Sequence, residues 1–347
     1  MFTAIASIRL DGGGRGRSAV PRVSSWSSTR DPSVTRRCLA ILFGLLATMP
    51  ALAETPAPIE QLRQMAHSLR ALDYVGSFVF QSGLRVDTLR IVHSAAGNES
   101  ERLTRLSGPP GEATRHGQSI TVQQHRKAPV AFATGATARL LPLVPTDAAA
   151  LPNDNYRLLI AAPDRVAGYH TNVVDILATD PYRYSYRLWL DIEHKLPLRV
   201  AVLDGNQSTV EQYMFVTLSV GSVPDDEALE ATAPITSPDV IVPLGGNARW
   251  LVNDLPKGYS LRARQAMSTG KDSEQLVFSD GLASVSAYIE LTPEPISDDV
   301  ALSRGAMNVY IHRDSSWRYT VLGNVPAATV QRIAVSISAV PDPVVPK

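Results

Sequence analysis

A strand-like alternation governs Tyr74-Val75-Gly76-Ser77-Phe78-Val79-Phe80-Gln81, where every second side chain points to the same face. The same period of two recurs at Val86–His93, Arg102–Leu106, Ser119–Gln124, Thr171–Ala178, Tyr184–Asp191, Leu198–Asp204 and Val210–Val220. Turn-forming residues of the kind that antiparallel hairpins require separate several of these runs: Ser82-Gly83, Gly108-Pro109-Pro110-Gly111 and Asp204-Gly205-Asn206. The pattern predicts an antiparallel meander that curls into a half-open barrel.

A helix and a lid are predicted beside this sheet. After Pro58, apolar residues recur at spacings of three and four, as in one amphipathic helix: Ile59, Leu62, Met65, Ala66, Leu69 and Leu72. Between Ala138 and Pro163 the alternation gives way to proline-punctuated leucines and an alanine-rich stretch. Because proline is excluded from regular sheet interiors, we expect a short helix and a loop there, crossing the concave face as a lid.

A second, smaller domain is predicted in the last third of the chain. The length of 347 residues suits two domains, and a polar, proline-rich tract at 223–246 reads as the linker between them. Beyond it we expect strands at Leu276–Ser279, Ser284–Leu291, Met307–Arg313 and Tyr319–Leu322, and a helix that starts at Pro326. The predicted fold class is therefore α+β, with a large domain at 54–222 and a small α+β domain at 247–347.

The first 53 residues resemble a secretory signal peptide with an atypical N-terminal extension. Arg36 and Arg37 precede the apolar run Leu39–Leu46, and Ala51-Leu52-Ala53 supplies the small residues of a cleavage site. The alternative is a buried helix with arginines beside it by chance. We expect cleavage after Ala53 and a periplasmic location. Cys38, the only cysteine, would then be removed, so the mature chain would carry no disulfide or cysteine metal ligand.

Composition and motifs argue against nucleic-acid binding and catalysis. After residue 53 the chain has 26 basic and 31 acidic residues, a net charge of −5, whereas a nucleic-acid binder gains affinity from a basic face. The sequence has no Gly-x-Ser-x-Gly elbow and no Walker loop, and its seven histidines show no His-Glu-x-x-His pattern. We therefore expect a protein that is not an enzyme and that has no catalytic residues, metal or cofactor.

A ligand cavity is nevertheless suggested by one face of the sheet. Tyr184, Tyr186 and Leu188 share a face that combines apolar area with hydroxyl groups, which suits either packing against the first helix or the mouth of a cavity. We expect an acyl-binding cavity lined by Phe78, Phe80, Leu89, Ile91, Tyr184, Tyr186 and Leu188. The alternative is that Phe78 and Phe80 are plain core.

Motifs along most of the chain resemble the MucB/RseB family of periplasmic sigma-E regulators. In the large domain they are Tyr74–Gln81, Thr88–His93, Arg165–Gly168, Tyr182–Asp191, Leu196-Pro197-Leu198 and Glu211–Phe215. In the small domain they are Phe278–Ser286, Gly305–Tyr310 and Gly323–Val330. The resemblance spans Leu62 to Ile337 in order. Tyr169-His170 departs from the family, which has arginine and a small residue there.

This resemblance implies a fold and a function. The fold would be a curled antiparallel sheet like that of the lipoprotein carriers LolA and LolB, with helices in its concave face, followed by the small α+β domain. The chain would bind the periplasmic segment of an RseA/MucA-like anti-sigma factor, shield it from site-1 proteolysis, and release it when a lipid or lipopolysaccharide-like stress signal binds. Self-association is left open, and a periplasmic lipoprotein or lipid carrier is the alternative function.

Overall fold

The computed structural model describes residues 57–126, 129–133, 139–144, 154–223, 229, 249–267, 273–292, 298–314 and 316–340. The expectations for the signal peptide and for most of the 223–246 linker lie outside these residues. Within them, neither helix has the length and apolar character needed to cross a membrane.

Eleven antiparallel strands form the larger of the two main sheets. The first helix, α1 (Pro58–Ala71), precedes β1 (Tyr74–Ser82), β2 (Arg85–Ser94), β3 (Ser100–Arg105), β4 (Gly111–His116), β5 (Ser119–Gln124), β6 (Val130–Ala133), β7 (Tyr156–Val166), β8 (Tyr169–Ala178), β9 (Ser185–Asp191), β10 (Pro197–Leu203) and β11 (Thr209–Val220). The strand order is β6-β5-β4-β3-β2-β1-β11-β10-β9-β8-β7. The first and last strands therefore pair at the centre, with Phe80 opposite Tyr213.

The large sheet is curled and open, and α1 fills part of its concave face. The Tyr169 hydroxyl of β8 donates to the Leu218 carbonyl of β11 at 3.0 Å, although β9 and β10 separate these strands in the sheet. Leu62, Met65 and Leu69 of α1 are at most 1% exposed and join the core of the sheet. Burial of this apolar stripe stabilises both elements, because each covers the other's apolar face.

The small-sheet domain has its own core. It comprises β12 (Trp250–Val252), β13 (Ser260–Ala266), β14 (Glu274–Ser279), β15 (Ser284–Leu291), β16 (Val300–Arg304), β17 (Met307–Asp314), β18 (Trp317–Gly323), α2 (Ala327–Val335) and β19 (Ile337–Ala339). Six strands form an antiparallel sheet in the order β13-β14-β15-β18-β17-β16, and β12 pairs with β19. Val330, Ile333 and Ala334 of α2 pack into this core.

The predicted α+β class and curled antiparallel sheet are confirmed, and the strands predicted above, the helix after Pro58 and the helix at Pro326 are present. The expectation of a helix and loop from Ala138 to Pro163 is wrong for residues 156–163, which belong to β7. Pro163 is tolerated because β7 is an end strand whose register shifts between Ala161 and Asp164, and proline is accepted at edges and bulges. Six other strands, most of them short, were not predicted from the sequence: β4, β6, β12, β13, β16 and β19.

Gly76 of β1 is required by packing. A Cβ atom there would lie 2.6 Å from Phe215 Cε1 and 2.6 Å from the Thr217 carbonyl oxygen. We expect Gly76→Ala to lower the free energy of unfolding by about 1–3 kcal/mol, because a fixed neighbouring strand must move. Gly205→Ala is the matched control, since nothing lies within 4 Å of its Cβ position. Urea unfolding of both variants measures the difference, and equal midpoints would contradict it.

Candidate functional site

Two turns of the small-sheet domain dock against the large-sheet domain, which here means the elements from α1 to β11. One turn joins β14 to β15 at Asp280–Ala283, and the other joins β16 to β17 at Gly305 and Ala306. Ala306 is fully buried in the large-sheet core, and Leu282 packs against the same core. The two domains therefore share buried apolar surface at these turns.

A buried ion pair ties the first docking turn to the large sheet. Arg183 Nη1 donates to Asp280 Oδ2 at 2.7 Å, and neither side chain is exposed. Tyr156 donates its hydroxyl proton to the same oxygen at 3.0 Å, and Arg183 Nη2 donates to the Lys257 carbonyl at 2.6 Å. A buried charge needs such a partner, because an unpaired ion in a protein interior is strongly destabilising.

Aromatic rings complete the surroundings of Arg183. Its guanidinium carbon lies 5.5 Å from the Tyr156 ring centroid and 5.1 Å from that of Tyr259. Burial alone would lower the pKa of Arg183, but its hydrogen bond to Asp180 and the charge of Asp280 raise it. Arg183 therefore remains a cation held between two rings, an arrangement that adds a cation–π contribution to the ion pair.

Tyr182 and Tyr184, just before β9, make a second set of contacts between the domains. Asn308 Nδ2 donates to the Tyr184 hydroxyl at 3.0 Å, and Thr329 Oγ1 donates to the Tyr182 carbonyl at 2.7 Å. The Arg332 guanidinium lies 4.6 Å from the Tyr182 ring centroid. One short segment of the large-sheet domain thus contacts both β17 and α2.

Glu211 of β11 receives the second docking turn. Ser82 donates its hydroxyl proton to Glu211 Oε1 at 2.6 Å, and the Ala306 amide also donates to this carboxylate. A Cβ atom at Gly305 would collide with Ser82 Oγ and Glu211 Oε1, and its φ of 57° is left-handed, so glycine suits both demands. Burial raises the pKa of Glu211, although the bonds from Ser82 and Ala306 act to lower it.

The raised pKa of Glu211 predicts a pH-dependent stability. The folded state binds the Glu211 proton more tightly than the unfolded chain does. The stability that this protonation contributes is therefore fully present below the unfolded pKa, about 4.3, and is lost as the pH rises through the higher folded pKa. We expect Glu211→Gln, which cannot ionise, to gain melting temperature relative to the unmodified chain as the pH rises from about 4.3 to about 7. Glu112→Gln is the control, and parallel profiles for Glu211→Gln and the unmodified chain would contradict this expectation.

An interdomain cavity of about 370 Å³ lies beside the two docking turns. Its large-sheet wall is built from Leu143, Val144, Tyr186 and Val202. Its small-sheet wall is built from Leu282, Ala283, Ser284, Ser286, Ala306, Met307, Leu322, Gly323 and Asn324. The size and the mixed lining, in which apolar side chains and polar groups contribute about equally to the surface, suit a small ligand or an inserted side chain.

The seven residues predicted to line an acyl cavity are brought together in one cluster. Phe78, Ile91 and Leu188 are fully buried, whereas Phe80 and Leu89 are partly buried against the same core. Tyr184 and Tyr186 are each 7% exposed, and only Tyr186 of the seven lines the interdomain cavity. Phe78 packs against the rings of Tyr213 and Phe215. An acyl-binding role for these residues stays a prediction.

Outside β7, the described parts of the predicted lid are Asp154-Asn155 and residues 139–144, here called the strap. Leu140 and Leu141 are buried in the large-sheet core, and Leu143 and Val144 pack against it while lining the interdomain cavity. The strap therefore contacts both the interior of the large sheet and the space between the domains.

A buried charge network lies where the strap begins. The ligand atoms of His93, Glu99 and Glu101 lie within 4.8 Å of one another, a grouping that could bind a metal ion. Arg115 nevertheless contacts Glu101 at 2.9 Å and Glu99 at 2.8 Å, and Arg139 contacts Glu99 at 3.1 Å. Two arginine charges thus balance two carboxylates, which makes this an ion-pair network.

Hydrogen bonds and charges lower the pKa of Glu99 in this network. Burial alone would raise the pKa of Glu99, but the hydrogen bond with His93 and the charges of Arg115 and Arg139 lower it. His93 also contacts the Leu72 carbonyl at 2.8 Å through Nδ1, and its ring stacks on Tyr74. The network therefore joins the end of α1 to β2, β3 and β4.

The polar residues that join the domains were not predicted from the sequence. Arg183 interrupts a run of tyrosines, and Asp280 follows Ser279 before a glycine, so each resembles an ordinary surface or turn residue. A charged residue within an otherwise aromatic segment was the only local signal. Their pairing spans 97 positions in the sequence, so no local pattern could reveal it.

Comparisons with known proteins match both domains. The MucB/RseB N-terminal domain matches residues 57–233, and the MucB/RseB C-terminal domain matches residues 245–338. Sigma-E factor regulatory protein RseB of Escherichia coli K12 is 29% identical over 308 residues, covering 86% of this chain and 96% of that protein. Sigma factor AlgU regulatory protein MucB of Pseudomonas aeruginosa is 28% identical over 313 residues, covering 86% of this chain and 96% of that protein.

A solved structure agrees with these matches across both domains. A chain of the Pseudomonas aeruginosa MucA/MucB complex is 26% identical and superposes with a TM-score of 0.64, covering 81% of this chain and 98% of that one. The two family matches together cover most of the sequence, from the start of α1 to the end of the small sheet. This chain belongs to the MucB/RseB family, whose members are regulatory proteins and not enzymes.

Proposed function

We propose that this chain is a periplasmic negative regulator of an extracytoplasmic stress sigma factor. It would bind the periplasmic segment of an RseA/MucA-like membrane anti-sigma factor and shield that segment from the site-1 protease. The observation that carries the proposal is the likeness of both domains to a chain of the MucA/MucB complex, over 98% of that chain. The predicted signal peptide at 1–53 supports the periplasmic location.

The interdomain cavity is the proposed place of contact. An extended segment of a membrane protein can pair with a sheet edge or lie in a cleft between domains. The cavity offers Leu143, Val144 and Met307 to an apolar side chain, and it offers Ser284 and Asn324 as hydrogen-bonding groups. A cleft of this kind would let binding depend on both domains at once.

A charge placed in the cavity tests this assignment. We expect Met307→Glu to weaken binding of the anti-sigma periplasmic segment at least about tenfold, because a carboxylate would have to be desolvated against an apolar side chain. Leu302→Glu is the matched control, because Leu302 is 56% exposed on neighbouring β16 and does not line the cavity. Isothermal titration calorimetry measures both affinities, and equal losses in the two variants would place the contact elsewhere.

Release by a lipid-like signal is the second part of the proposal. The acyl chain would enter the large-sheet core near Phe78, Phe80, Leu89, Ile91, Tyr184, Tyr186 and Leu188, where each buried methylene contributes about 0.8 kcal/mol. A signal molecule shifts the equilibrium only if it binds the released state more tightly than the partner-bound state. A difference of about 5.5 kcal/mol in binding free energy shifts a two-state protein from 1:99 to 99:1. Several methylenes could therefore supply the required free energy. Because α1 and the strap occupy this core, the chain resembles a regulator more than a carrier with an open acyl cavity.

Lipid titration into a preformed complex tests the release step. Phe80 is only partly buried, so Phe80→Asp adds a charge to the proposed site with less damage than a change at fully buried Phe78. We expect Phe80→Asp to retain the anti-sigma segment and to resist release by lysophosphatidylglycerol with a 14-carbon chain. Melting curves establish that the variant is folded. Release from the variant at the lipid concentration that releases the segment from the unmodified chain would contradict the acyl site. Gly76→Leu is unsuitable for this test because Gly76 has no room for a side chain.

A further inference from the structure

The strap is fixed to the large sheet at its first residues. The Leu140 amide donates to Glu101 Oε2 at 2.7 Å, and this carboxylate is fully buried. Arg139 contacts Glu99 at 3.1 Å, and Arg115 Nε donates to the same Glu101 oxygen, Oε2, at 2.9 Å. A charged acceptor makes the Leu140 bond stronger than an ordinary backbone hydrogen bond. Glu101 thus anchors the strap from β3.

Beyond this anchor the strap enters the core. Leu141 is 3% exposed and shares a small apolar void with Leu69 of α1, with Tyr74, and with Phe215 of β11. An acyl chain that entered this part of the core would have to displace Leu141, because protein interiors are close-packed.

The far end of the strap reaches the interdomain cavity. Leu143 has a φ of 63°, in the left-handed region that a leucine rarely adopts, and it lines the cavity beside Val144. Such a conformation persists only where surrounding contacts hold it. The position of the cavity wall therefore depends on the contacts that fix the strap.

We infer that the strap couples the large-sheet core to the interdomain cavity, and that Glu101 is the positioning residue that holds the strap in its coupled state. Displacement of Leu141 would pull Leu140 from Glu101 and move Leu143 and Val144 out of the cavity wall. This inference rests on the proposed function, since it gives the route by which a signal in the core would reach a partner bound between the domains.

Hydrogen exchange on the purified chain tests the coupling without any partner. In Glu101→Gln, we expect peptides covering the strap to exchange at least about tenfold faster, because a charged acceptor of the Leu140 amide is lost. Peptides covering 282–286 and 306–307 of the small-sheet domain should also exchange faster, although Glu101 lies outside the cavity lining. Glu112→Gln, at an exposed position of neighbouring β4, is the control and should change neither region.

A second variant acts at the other end of the strap. Leu143→Gly removes a cavity-lining side chain and accepts the left-handed backbone, so we expect faster exchange at 282–286 with unchanged exchange at Leu140. If Glu101→Gln loosened the strap but left the small-sheet peptides unchanged, or if neither variant changed the cavity peptides, the coupling would be overturned. If Glu101→Gln fails to fold, Leu143→Gly becomes the test of whether the strap affects the cavity peptides. Unchanged exchange at 282–286 in that variant would refute the inference.

Adding the anti-sigma periplasmic segment separates this inference from the proposed function. With both correct, Glu101→Gln should lower the lysophosphatidylglycerol concentration that releases the segment at least about tenfold, because the strap is already loosened. A chain that never binds the segment, but shows the coupled exchange pattern, would refute the proposed function and keep the coupling. A chain that binds and releases the segment but shows no coupled exchange would refute the coupling and keep the proposed function.

Discussion

Asp280→Ala should lower the free energy of unfolding by about 3–5 kcal/mol, the range for removing one partner of a buried ion pair. Arg183 would keep its buried charge between Tyr156 and Tyr259 but lose its fully buried carboxylate partner, which leaves only partly exposed Asp180 beside it. The Tyr156 hydroxyl would lose its acceptor at the same time. Because Asp280 lies in a docking turn, we also expect the domains to unfold in separate transitions.

Urea unfolding followed by tryptophan fluorescence measures this effect, since Trp189 and Trp250 report on different domains. Asp254→Ala is the matched control. Asp254 pairs with Arg332 at the surface, where ion pairs contribute about 0–1 kcal/mol. A loss of less than about 1 kcal/mol for Asp280→Ala would contradict the importance given to the buried pair.

Ending the chain at Pro243 should abolish binding of the anti-sigma segment. The truncation removes the small-sheet wall of the cavity and both docking turns, so only half of the proposed site remains. We expect the large-sheet domain to stay folded, because its core is built mainly from its own strands and α1. Circular dichroism checks the fold, and calorimetry measures binding.

Truncation also leaves Arg183 without the carboxylate of Asp280. Its guanidinium would then have only partly exposed Asp180 as a carboxylate partner. A truncated chain that carries Arg183→Met removes this charge and serves as the control for stability, since an apolar replacement of a buried ion is often tolerated. Binding should be lost in both truncated chains. Full affinity in either one would place the partner site on the large-sheet domain alone.

The parts of the fold that follow from local periodicity were predictable. The spacing from Ile59 to Leu72 identified α1, and alternation identified β1 and its neighbours, because burial on one face leaves a direct trace in the sequence. The strand β7 was not predicted, because Pro163 breaks the local pattern. The place of β7 at the end of the sheet also depends on pairing that the local sequence does not show. An edge strand pairs with a neighbour on one side only, so its sequence is less constrained than that of a central strand and is harder to recognise.

The candidate site was predictable only in part. The tyrosine-rich face before and within β9 was predicted to line an acyl cavity or to pack on α1, and its acyl-binding role stays a prediction. Tyr184 and Tyr186 lie at or near the domain interface, which was not expected from the sequence. The cavity wall from the small-sheet domain could not be foreseen, because it depends on the docking of two turns. Glu101 was equally hidden, as its burial beside Arg115 and Arg139 results from strands and a strap that meet only after folding.

Protection against proteolysis tests the proposed regulation most directly. The periplasmic segment of the anti-sigma factor is incubated with the site-1 protease, alone, with the intact chain, or with the Met307→Glu chain. We expect the intact chain to slow cleavage at least about tenfold at saturating concentration, because the bound segment is inaccessible to the protease, and Met307→Glu to protect much less. A cleavage rate unchanged by the intact chain would contradict it.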